Sequence, residues 1–418
     1  YDSKVNQKAY RIWYKLNQKA VICVKSASGT SEEAEVGEIC PQGGFGGARV
    51  SGLDLARGCQ TYFKSSQDEV NYGRVRGNPQ LYQDDWLRVA ASVEAARVGM
   101  MKLLCMVREK QLTCHPDKTC YVIIGSKGYI GKVREKVANE PIMLGTQVTK
   151  PSKEELYLGD VLAEGSSLAA STRATVDKRI ARARGAIREV KSVMEDFRMQ
   201  AIVGMAGVWD LWKVCICASL LANSSTWVKL EKKEVKKLNG LFHEFLRNIY
   251  SCPPSTPLPA LRSQAGMVSM EYLVYREKIC LVGKLLHRTE PDNYARQVLE
   301  EQVMMGWEGI VKEARELCDM LGLPDIAMKD VHREDVSMAM KYHHLKKVKE
   351  EMKPYSKMEK LMNKDCTKME EYMKQKSLED ARLEFKWQTG MLDSRATMKA
   401  KYQDSQYLVC CPHCPEGR

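Results

Sequence analysis

The hydrophobic pattern of this 418-residue chain changes near Ala169, and this change limits the folds that the chain can adopt. Up to about residue 165, short apolar runs alternate with Gly and Pro, as at residues 21–24, 81–82 and 121–124, and such runs are typical of strands. From about residue 169 to 324, apolar residues recur at helical spacing instead. Because one core rarely serves a chain of this length, we expect an α+β protein with domains at residues 1–165, 166–327 and 328–418.

One helix is predicted within the first domain. Ser92 is placed to cap its N-terminus, and Glu94 lies in the first turn, where a carboxylate interacts favourably with the helix dipole. The apolar residues of this helix recur mostly at steps of three and four: Val93, Ala96, Met100, Leu103, Leu104 and Val107. Strands that alternate with such a helix indicate a mixed first domain.

The second domain begins with the clearest amphipathic pattern in the chain. Its apolar stripe has alternating steps of four and three residues: Val176, Ile180, Ala183, Ile187, Val190 and Met194. The other faces between Arg173 and Met194 carry seven cations and only two acids, which makes this helix the densest basic surface of the sequence. Such a surface either is solvated or contacts a polyanion, and the net charge of +12 is consistent with both interpretations.

The most apolar stretch, residues 201–222, is predicted to be a buried helix. It carries Asp210 and Lys213 near its middle, and charges there would make a membrane span costly. We therefore expect no transmembrane helix, no signal peptide and no membrane partner. Three tryptophans lie among apolar residues and are expected to pack in the core rather than stack on bases: Trp209, Trp212 and Trp227.

Residues 328–407 are rich in Lys, Glu and Met with weak periodicity, and they predict long exposed helices or a partly disordered linker. The fifteen cysteines are scattered and odd in number, which favours reduced thiols and an intracellular location in the nucleus or cytoplasm. The sequence begins at Tyr1 rather than Met and ends without a cap, so we expect a chain that is cut at both ends.

Two adjacent carboxylates, Asp84 and Asp85, stand between apolar residues. The flanking residues 80–83 and 86–90 have the character of short strands, which would place both carboxylates at the tip of a hairpin. Neighbouring carboxylates raise each other's pKa unless a cation lies between them, and hard oxygen ligands suit Mg²⁺. An ordinary surface turn is the alternative interpretation of the same pair.

Three further motifs accompany this pair in a fixed order. Upstream, residues 41–48 read Pro-Gln-Gly-Gly-Phe-Gly-Gly-Ala, a Gly-rich loop that leads into a predicted helix and lets the backbone approach a ligand closely. Downstream, residues 112–123 contain a Pro-x-Lys-Thr segment that is predicted to begin a strand, and residues 157–159 read Tyr-Leu-Gly.

This ordered set resembles the palm of reverse transcriptases, and the non-long-terminal-repeat retrotransposon type is the most similar. Gln42-Gly43 resembles motif B, Tyr82 to Asp85 motif C, Lys118-Thr119 motif D, and Tyr157-Leu158-Gly159 the beginning of the primer grip. The resemblance covers about residues 1–159 by motif. It continues more weakly through a helical thumb to about residue 288.

The N-terminal residues Tyr1-Asp2-Ser3-Lys4-Val5-Asn6 resemble the end of motif A. Tyr1 then matches the aromatic residue that excludes a ribose 2′-OH. The metal-binding Asp of this motif is expected five positions before Tyr1, so we expect this fragment to be inactive by itself.

The resemblance implies an RNA-directed DNA polymerase that transfers nucleotides to a primer 3′-hydroxyl with two metal ions. Its expected fold is a palm, with an antiparallel sheet and packed helices, then an all-helical thumb and a helical or partly disordered tail. The implied partners are an RNA template, a DNA primer and deoxynucleoside triphosphates.

The resemblance also assigns roles to individual residues. Asp84 and Asp85 would be catalytic and bind Mg²⁺ or Mn²⁺, and Lys118 would protonate or steady the leaving pyrophosphate. The residues expected to position template and nucleotide are Tyr1, Gln42, Gly43, Gly44, Tyr82 and Gln83. The residues expected to contact phosphates from the thumb are Lys178, Arg179, Arg182, Arg184, Arg188 and Lys191.

Cys411 and Cys414 form half of a zinc site. In related retrotransposon proteins such a pair begins a Cys-Cys-His-Cys finger, which implies Zn²⁺ in the full-length protein. This sequence stops before the remaining ligands.

Two other functions compete with the polymerase. A decayed or repurposed fragment would bind nucleic acid without polymerising. An RNA-templated RNA polymerase is disfavoured, because its hairpin usually has Gly where Tyr82-Gln83 stand. An Asp encoded five codons before Tyr1 would favour the reverse transcriptase.

Overall fold

The computed structural model describes residues 21–22, 25–26, 29–30, 34–35, 62–63, 70–77, 80–82, 85–110, 112–355, 359–363 and 369–389. It is an α+β structure in which helices predominate and strands are short. The chain divides into two compact units, Tyr1–Tyr157 and Leu158–Arg418.

The strands of the first unit pair two by two. The antiparallel pairs are β1 (Val21–Ile22) with β4 (Ala34–Glu35), β2 (Lys25–Ser26) with β3 (Gly29–Thr30), β5 (Asn71–Tyr72) with β6 (Val75–Arg76), β7 (Gln80–Tyr82) with β8 (Asp85–Leu87), and β10 (Met143–Leu144) with β11 (Gln147–Val148). β9 (Cys120–Tyr121) and β12 (Lys150–Pro151) pair in parallel, and β13 (Glu154–Tyr157) ends the unit. Among the described residues these strands form two-stranded pairs, so the antiparallel sheet of a palm stays a prediction.

Helix α1 (Val93–Glu109) begins where the sequence predicts it. The Ser92 hydroxyl accepts a hydrogen bond from the Ala95 amide at 3.1 Å, so the predicted cap is confirmed. Helix α2 (Lys127–Asn139) is capped in the same way by Ser126, whose hydroxyl accepts from the Tyr129 amide at 3.3 Å.

The segment that contains Lys118 does not begin as a strand, and this prediction is wrong. Pro116–Lys118 forms a 3₁₀ turn, and β9 starts only at Cys120. The physical reason is Pro116, whose ring fixes φ near the helical value and suits the first position of a tight turn.

Two small clusters form the core in the part of the first unit that the structure describes. One joins α1 to α2 and the segment after it through Val93, Val137 and Ile142. The other lies along the last turns of α1, where Leu103, Met106 and Val107 are buried and Trp86 of β8 packs against them. The hairpin is therefore attached to α1 through an aromatic side chain.

The second unit is helical after one strand. In chain order its elements are β14 (Asp160–Ala163), α3 (Leu168–Glu195), α4 (Phe197–Leu211), α5 (Lys232–Tyr250), α6 (Leu258–Ala265), α7 (Met270–His287), α8 (Tyr294–Met305), α9 (Ile310–Leu321), α10 (Arg333–Met352), α11 (Glu359–Met362), α12 (Glu371–Gln375) and α13 (Leu378–Gln388). Among the helices that the structure describes, none combines the length and the apolar character needed to cross a bilayer.

The predicted apolar stripe of α3 is confirmed, because all six of its members are buried in the main core of this unit. The three tryptophans are buried there too, as predicted. The Trp212 ring stacks on Phe245 with centroids 4.3 Å apart, and the Trp209 ring meets Phe245 edge-on. Burial of these rings supplies much of the hydrophobic stabilisation that holds α4 to α5.

The apolar stretch at residues 201–222 is helical, but it is not one regular helix. Gly204 in α4 has a φ of 55°, which breaks the helical path, and Trp212–Cys217 continues as a π-helix. Asp210 and Lys213 form an exposed ion pair at 3.3 Å, so both charges stay in solvent.

The tail is helical where the structure describes it, but the expectation of exposed helices is wrong for this part. Met373 of α12 and Phe385 of α13 are fully buried in the main core. The Phe385 ring stacks on Tyr250 of α5 with centroids 4.0 Å apart. These helices therefore complete the core that α3 to α5 begin.

Candidate functional site

The predicted hairpin is present, but its second strand is shorter than expected and begins at Asp85, so Asp85 is a strand residue beside the tip rather than part of the tip. β7 and β8 pair antiparallel with Tyr82 opposite Asp85 and Leu81 opposite Trp86. Residues 83 and 84 connect them, so Gln83 and Asp84 lie outside the described residues. Of Tyr82 only the backbone is described, which leaves its role in positioning the nucleotide a prediction.

The packing of the hairpin determines which way Asp85 faces. Trp86 points toward α1, where its ring lies 5.8 Å from Phe63 and against the buried Met106. Successive side chains of a strand point to opposite faces. Asp85 therefore faces away from this cluster, and its carboxylate is exposed to solvent.

The carboxylate of Asp85 acts on Tyr157, the residue that begins the Tyr-Leu-Gly motif. Burial raises the pKa of the half-buried Tyr157 phenol, and the negative charge of Asp85 raises this pKa further. The fold thus brings together two motif residues that are far apart in sequence. Periodicity cannot reveal this proximity, because it depends on how the hairpin packs.

Asp85 suits a cation in one respect. Its carboxylate is exposed and offers oxygen atoms, the ligand type that hard metal ions prefer. The described part of the chain contains no group of three or more His, Cys, Asp or Glu side chains that could hold a metal. Asp85 is thus the one described member of the predicted carboxylate pair.

Lys118 lies at the end of the 3₁₀ turn, and its side chain is exposed. The turn is stabilised internally: the Lys118 amide donates to the His115 carbonyl at 3.2 Å, and the Thr119 hydroxyl donates to the same carbonyl at 2.9 Å. The ammonium group is not used by the fold of the described residues, and its role toward pyrophosphate remains a prediction.

Several predicted site residues lie outside the described part of the chain, so their roles and the zinc site remain predictions. They are Tyr1, Gln42, Gly43, Gly44, Gln83, Asp84, Cys411 and Cys414.

The cations of α3 divide into groups that the sequence does not distinguish. The members of one group each form an ion pair with a carboxylate, either from the segment of α5 or from α3 itself. Arg173 pairs with Glu231 at 3.2 Å, Arg184 with Glu244 at 3.8 Å, and Lys191 with Glu195 at 3.5 Å.

The side chain of Arg179 is used in hydrogen bonds within the fold. Its guanidinium donates to the carbonyl of Gly159 at 2.9 Å, to the carboxylate of Asp160 at 3.0 Å and to the carbonyl of Ser219 at 2.7 Å. Only 11% of its side chain is exposed. The carbonyl of Leu158, which has a φ of 49°, accepts from the Asn223 amide group at 2.9 Å. Arg179 therefore holds the turn at residues 158–160 against the helices, a role that sequence reasoning missed.

The remaining cations, Lys178, Arg182 and Arg188, form the outer face of α3. All three side chains are exposed, and none has an ion-pair partner within the described part of the chain. We call them the outer-face cations. They are the members of the predicted phosphate-contacting set that the fold leaves available.

Comparison with known proteins adds no relative: no protein-family model matches the chain, and no curated protein matches it. The functional argument therefore depends on the motifs, their order and the geometry of the described residues.

Proposed function

We propose that the chain is the palm and thumb portion of a retroelement reverse transcriptase, an RNA-directed DNA polymerase. The observation that carries this proposal is the electrostatic interaction of Asp85, in a two-stranded hairpin, with Tyr157 of the primer-grip-like motif. A polymerase needs its catalytic carboxylates beside the primer terminus, and these two segments would provide them.

Asp85 and its neighbour Asp84 would hold Mg²⁺ or Mn²⁺. When bound, such ions activate a primer hydroxyl and neutralise the charge of the triphosphate. Tyr157 keeps its proton at neutral pH, because burial and the Asp85 charge raise its pKa. Its phenol can therefore donate a hydrogen bond to the primer backbone beside the carboxylates, and Lys118 would supply positive charge near the leaving pyrophosphate.

The outer-face cations of α3 would contact the phosphates of the template–primer duplex. Phosphate contacts fix the position of a duplex without reading its sequence, which suits an enzyme that copies any template. Deoxynucleoside triphosphates would be positioned by Tyr1, Gln42, Gly43 and Gly44.

Primer extension tests the proposal. The assay uses a longer protein that contains this chain and a complete motif A, with an RNA template, a DNA primer, Mg²⁺ and deoxynucleotides. We expect Asp84→Asn and Asp85→Asn each to reduce extension at least a hundredfold, while Asp210→Asn, a change on an exposed carboxylate of the second unit, leaves it intact. Extension that survives the Asp84→Asn/Asp85→Asn double change would refute the polymerase assignment.

A second candidate function is nucleic-acid binding without polymerisation. The specific observation in its favour is the set of outer-face cations, which requires no catalytic residue. This function predicts duplex binding that is insensitive to Asp84→Asn and Asp85→Asn, together with no extension by the longer protein.

A further inference from the structure

Helix α10 exposes two large apolar side chains on the face that points away from its core. Tyr342 is 73% exposed and Met338 is 65% exposed. They stand four residues apart, so they are neighbours on one stripe of the helix. An exposed tyrosine ring is a flat apolar surface that water solvates poorly, and a partner with a flat ring would cover it well.

The opposite face of α10 explains why this stripe cannot turn inward. Five residues at steps of four are buried: Val336, Met340, His344, Val348 and Met352. The Tyr272 hydroxyl lies 2.6 Å from the ring nitrogen Nδ1 of His343, which fixes the rotation of the helix further. Tyr342 is thus held in solvent by the packing of its own helix.

Three lysines lie close to Tyr342 along α10. Lys346 and Lys349 follow Tyr342 by four and seven residues on the same stripe, and Lys341 precedes it directly. None of these three has an ion-pair partner in the portion of the chain that the structure describes. Lys347, by contrast, pairs with the buried Glu271 at 3.2 Å.

The acids of α10 lie at its ends and leave this middle section positive. Glu334 and Asp335 stand in the first turn. Glu350 pairs with Lys353, and Glu351 pairs with Arg262 at 2.8 Å. Residues 338–349 contain no acid, so the charge around Tyr342 complements a polyanion.

We propose that Tyr342, with Lys341, Lys346 and Lys349, binds single-stranded nucleic acid. A base stacks on the Tyr342 ring while the lysines neutralise the flanking phosphates, which is the combination that single-strand binding proteins use. A base-paired duplex offers no free base face to this ring. The inference concerns a separate surface of α10 and does not depend on polymerase activity.

The test measures binding of a fluorescent oligothymidylate by anisotropy. The protein is the full chain with Lys178, Arg182 and Arg188 changed to Ala, so that the α3 surface contributes little. Stacking on an aromatic residue corresponds to a loss of about five- to a hundredfold in affinity when the ring is removed, and we expect this loss for Tyr342→Ala. Tyr342→Phe keeps the ring and should bind within about twofold of the parent.

Two controls separate stacking from charge. Met338→Ala removes an exposed side chain from the same stripe and should leave the affinity unchanged. Inorganic polyphosphate, which has charge but no bases, should show the same inhibition constant with the parent and with Tyr342→Ala. Changing Lys341, Lys346 and Lys349 to Ala should flatten the plot of log affinity against log salt by about two, since each single-strand phosphate contributes about 0.7.

Unchanged oligothymidylate binding by a folded Tyr342→Ala protein would overturn the proposal. An equal loss with Tyr342→Phe would also overturn it, because the hydroxyl rather than the ring would then matter. Polyglutamate that binds more tightly than oligothymidylate would instead identify an acidic protein segment as the partner of this face.

Discussion

The structure predicts that Arg182 and Arg188 of α3 contribute more to duplex binding than the paired cations of the same helix. Arg182 and Arg188 are exposed and have no ion-pair partner among the described residues, whereas Arg184 and Lys191 of the same helix each have a carboxylate within 4.0 Å. We expect the double change Arg182→Ala/Arg188→Ala to weaken duplex binding much more than Arg184→Ala/Lys191→Ala. Both variants lose the same net charge, so a difference between them reports the pairing and the position of the cations rather than the total charge.

The magnitude follows from counterion release. Each phosphate that a cation neutralises steepens the fall of log affinity with log salt by about 0.9 on B-form DNA, and we take a similar value for a hybrid duplex. Two lost contacts should therefore flatten the slope by about two. Over a fourfold range of salt this difference changes the affinity relative to the parent by a factor of about ten. Adding Lys178→Ala should bring the total flattening to between two and three.

The assay is a salt titration of RNA–DNA hybrid binding for the parent and both variants. Alanine is the best helix former, so α3 should remain intact, which circular dichroism and urea unfolding can verify. Arg184→Ala/Lys191→Ala should flatten the slope by less than about one, since carboxylates already neutralise these cations. Equal slopes for the parent and Arg182→Ala/Arg188→Ala, or equal losses in both variants, would refute the argument.

Three further outcomes are expected. Arg179→Lys loses the forked hydrogen bonds of the guanidinium and should lower the free energy of unfolding in urea by about 2–4 kcal/mol, with the salt slope of binding nearly unchanged. Asp85→Asn should lower the pKa of Tyr157 in an NMR titration, and an unchanged value would mean that the carboxylate does not face the phenol. Burial lowers the pKa of His243 and of His344 from 6.5 to about 3, so both are neutral in the folded protein while the unfolded chain takes up protons below about pH 6.5. Stability should therefore be complete above that pH and fall as the pH drops toward 3, by about 1.4 kcal/mol per pH unit for each histidine, and His344→Gln should remove one such contribution.

The sequence predicts correctly those elements that depend on interactions between residues close in the chain. The cap at Ser92, the stripe from Val176 to Met194 and the hairpin strands around Trp86 all depend on residues close in sequence, and the structure has each of them. Residues 116–118 form a turn instead of the predicted strand, because the geometry of Pro116 outweighs the strand character of the residues that follow.

The tail packs in the core instead of forming exposed helices, and the sequence obscures this for a different reason. Its buried stripe on α10 has strict steps of four, but Met340 and His344 stand in it, and a histidine weakens the apolar signal. His344 is nonetheless fully buried, with Nδ1 at 3.5 Å from the Ser269 hydroxyl. Counting histidine and methionine as core residues would have revealed this helix and its packed face.

The ion pairs and hydrogen bonds of the α3 cations could not be predicted from the sequence. Nothing near Arg184 in sequence indicates that Glu244 of α5 neutralises it, and nothing near Arg179 indicates the turn that it holds. Partners of this kind come from elements that meet only in the folded chain. For that reason a count of seven cations overstated the charge that α3 can offer to a phosphate backbone.

The distribution of charge on α3 also bears on whether its outer face is merely solvated. A solvated helix face gains from alternating signs, because opposite charges four residues apart stabilise one another. The flank toward α5 has opposite charges, because Glu231 and Glu244 of the neighbouring segment pair with Arg173 and Arg184. The outer face does not, since Glu189 is the single acid among Lys178, Arg182 and Arg188. Cations that repel one another on a helix slightly destabilise it, and a polyanion that binds there would relieve this repulsion. This segregation of paired and unpaired cations on one helix is what we expect if the outer face contacts a phosphate backbone, as proposed, and the salt titration tests that expectation.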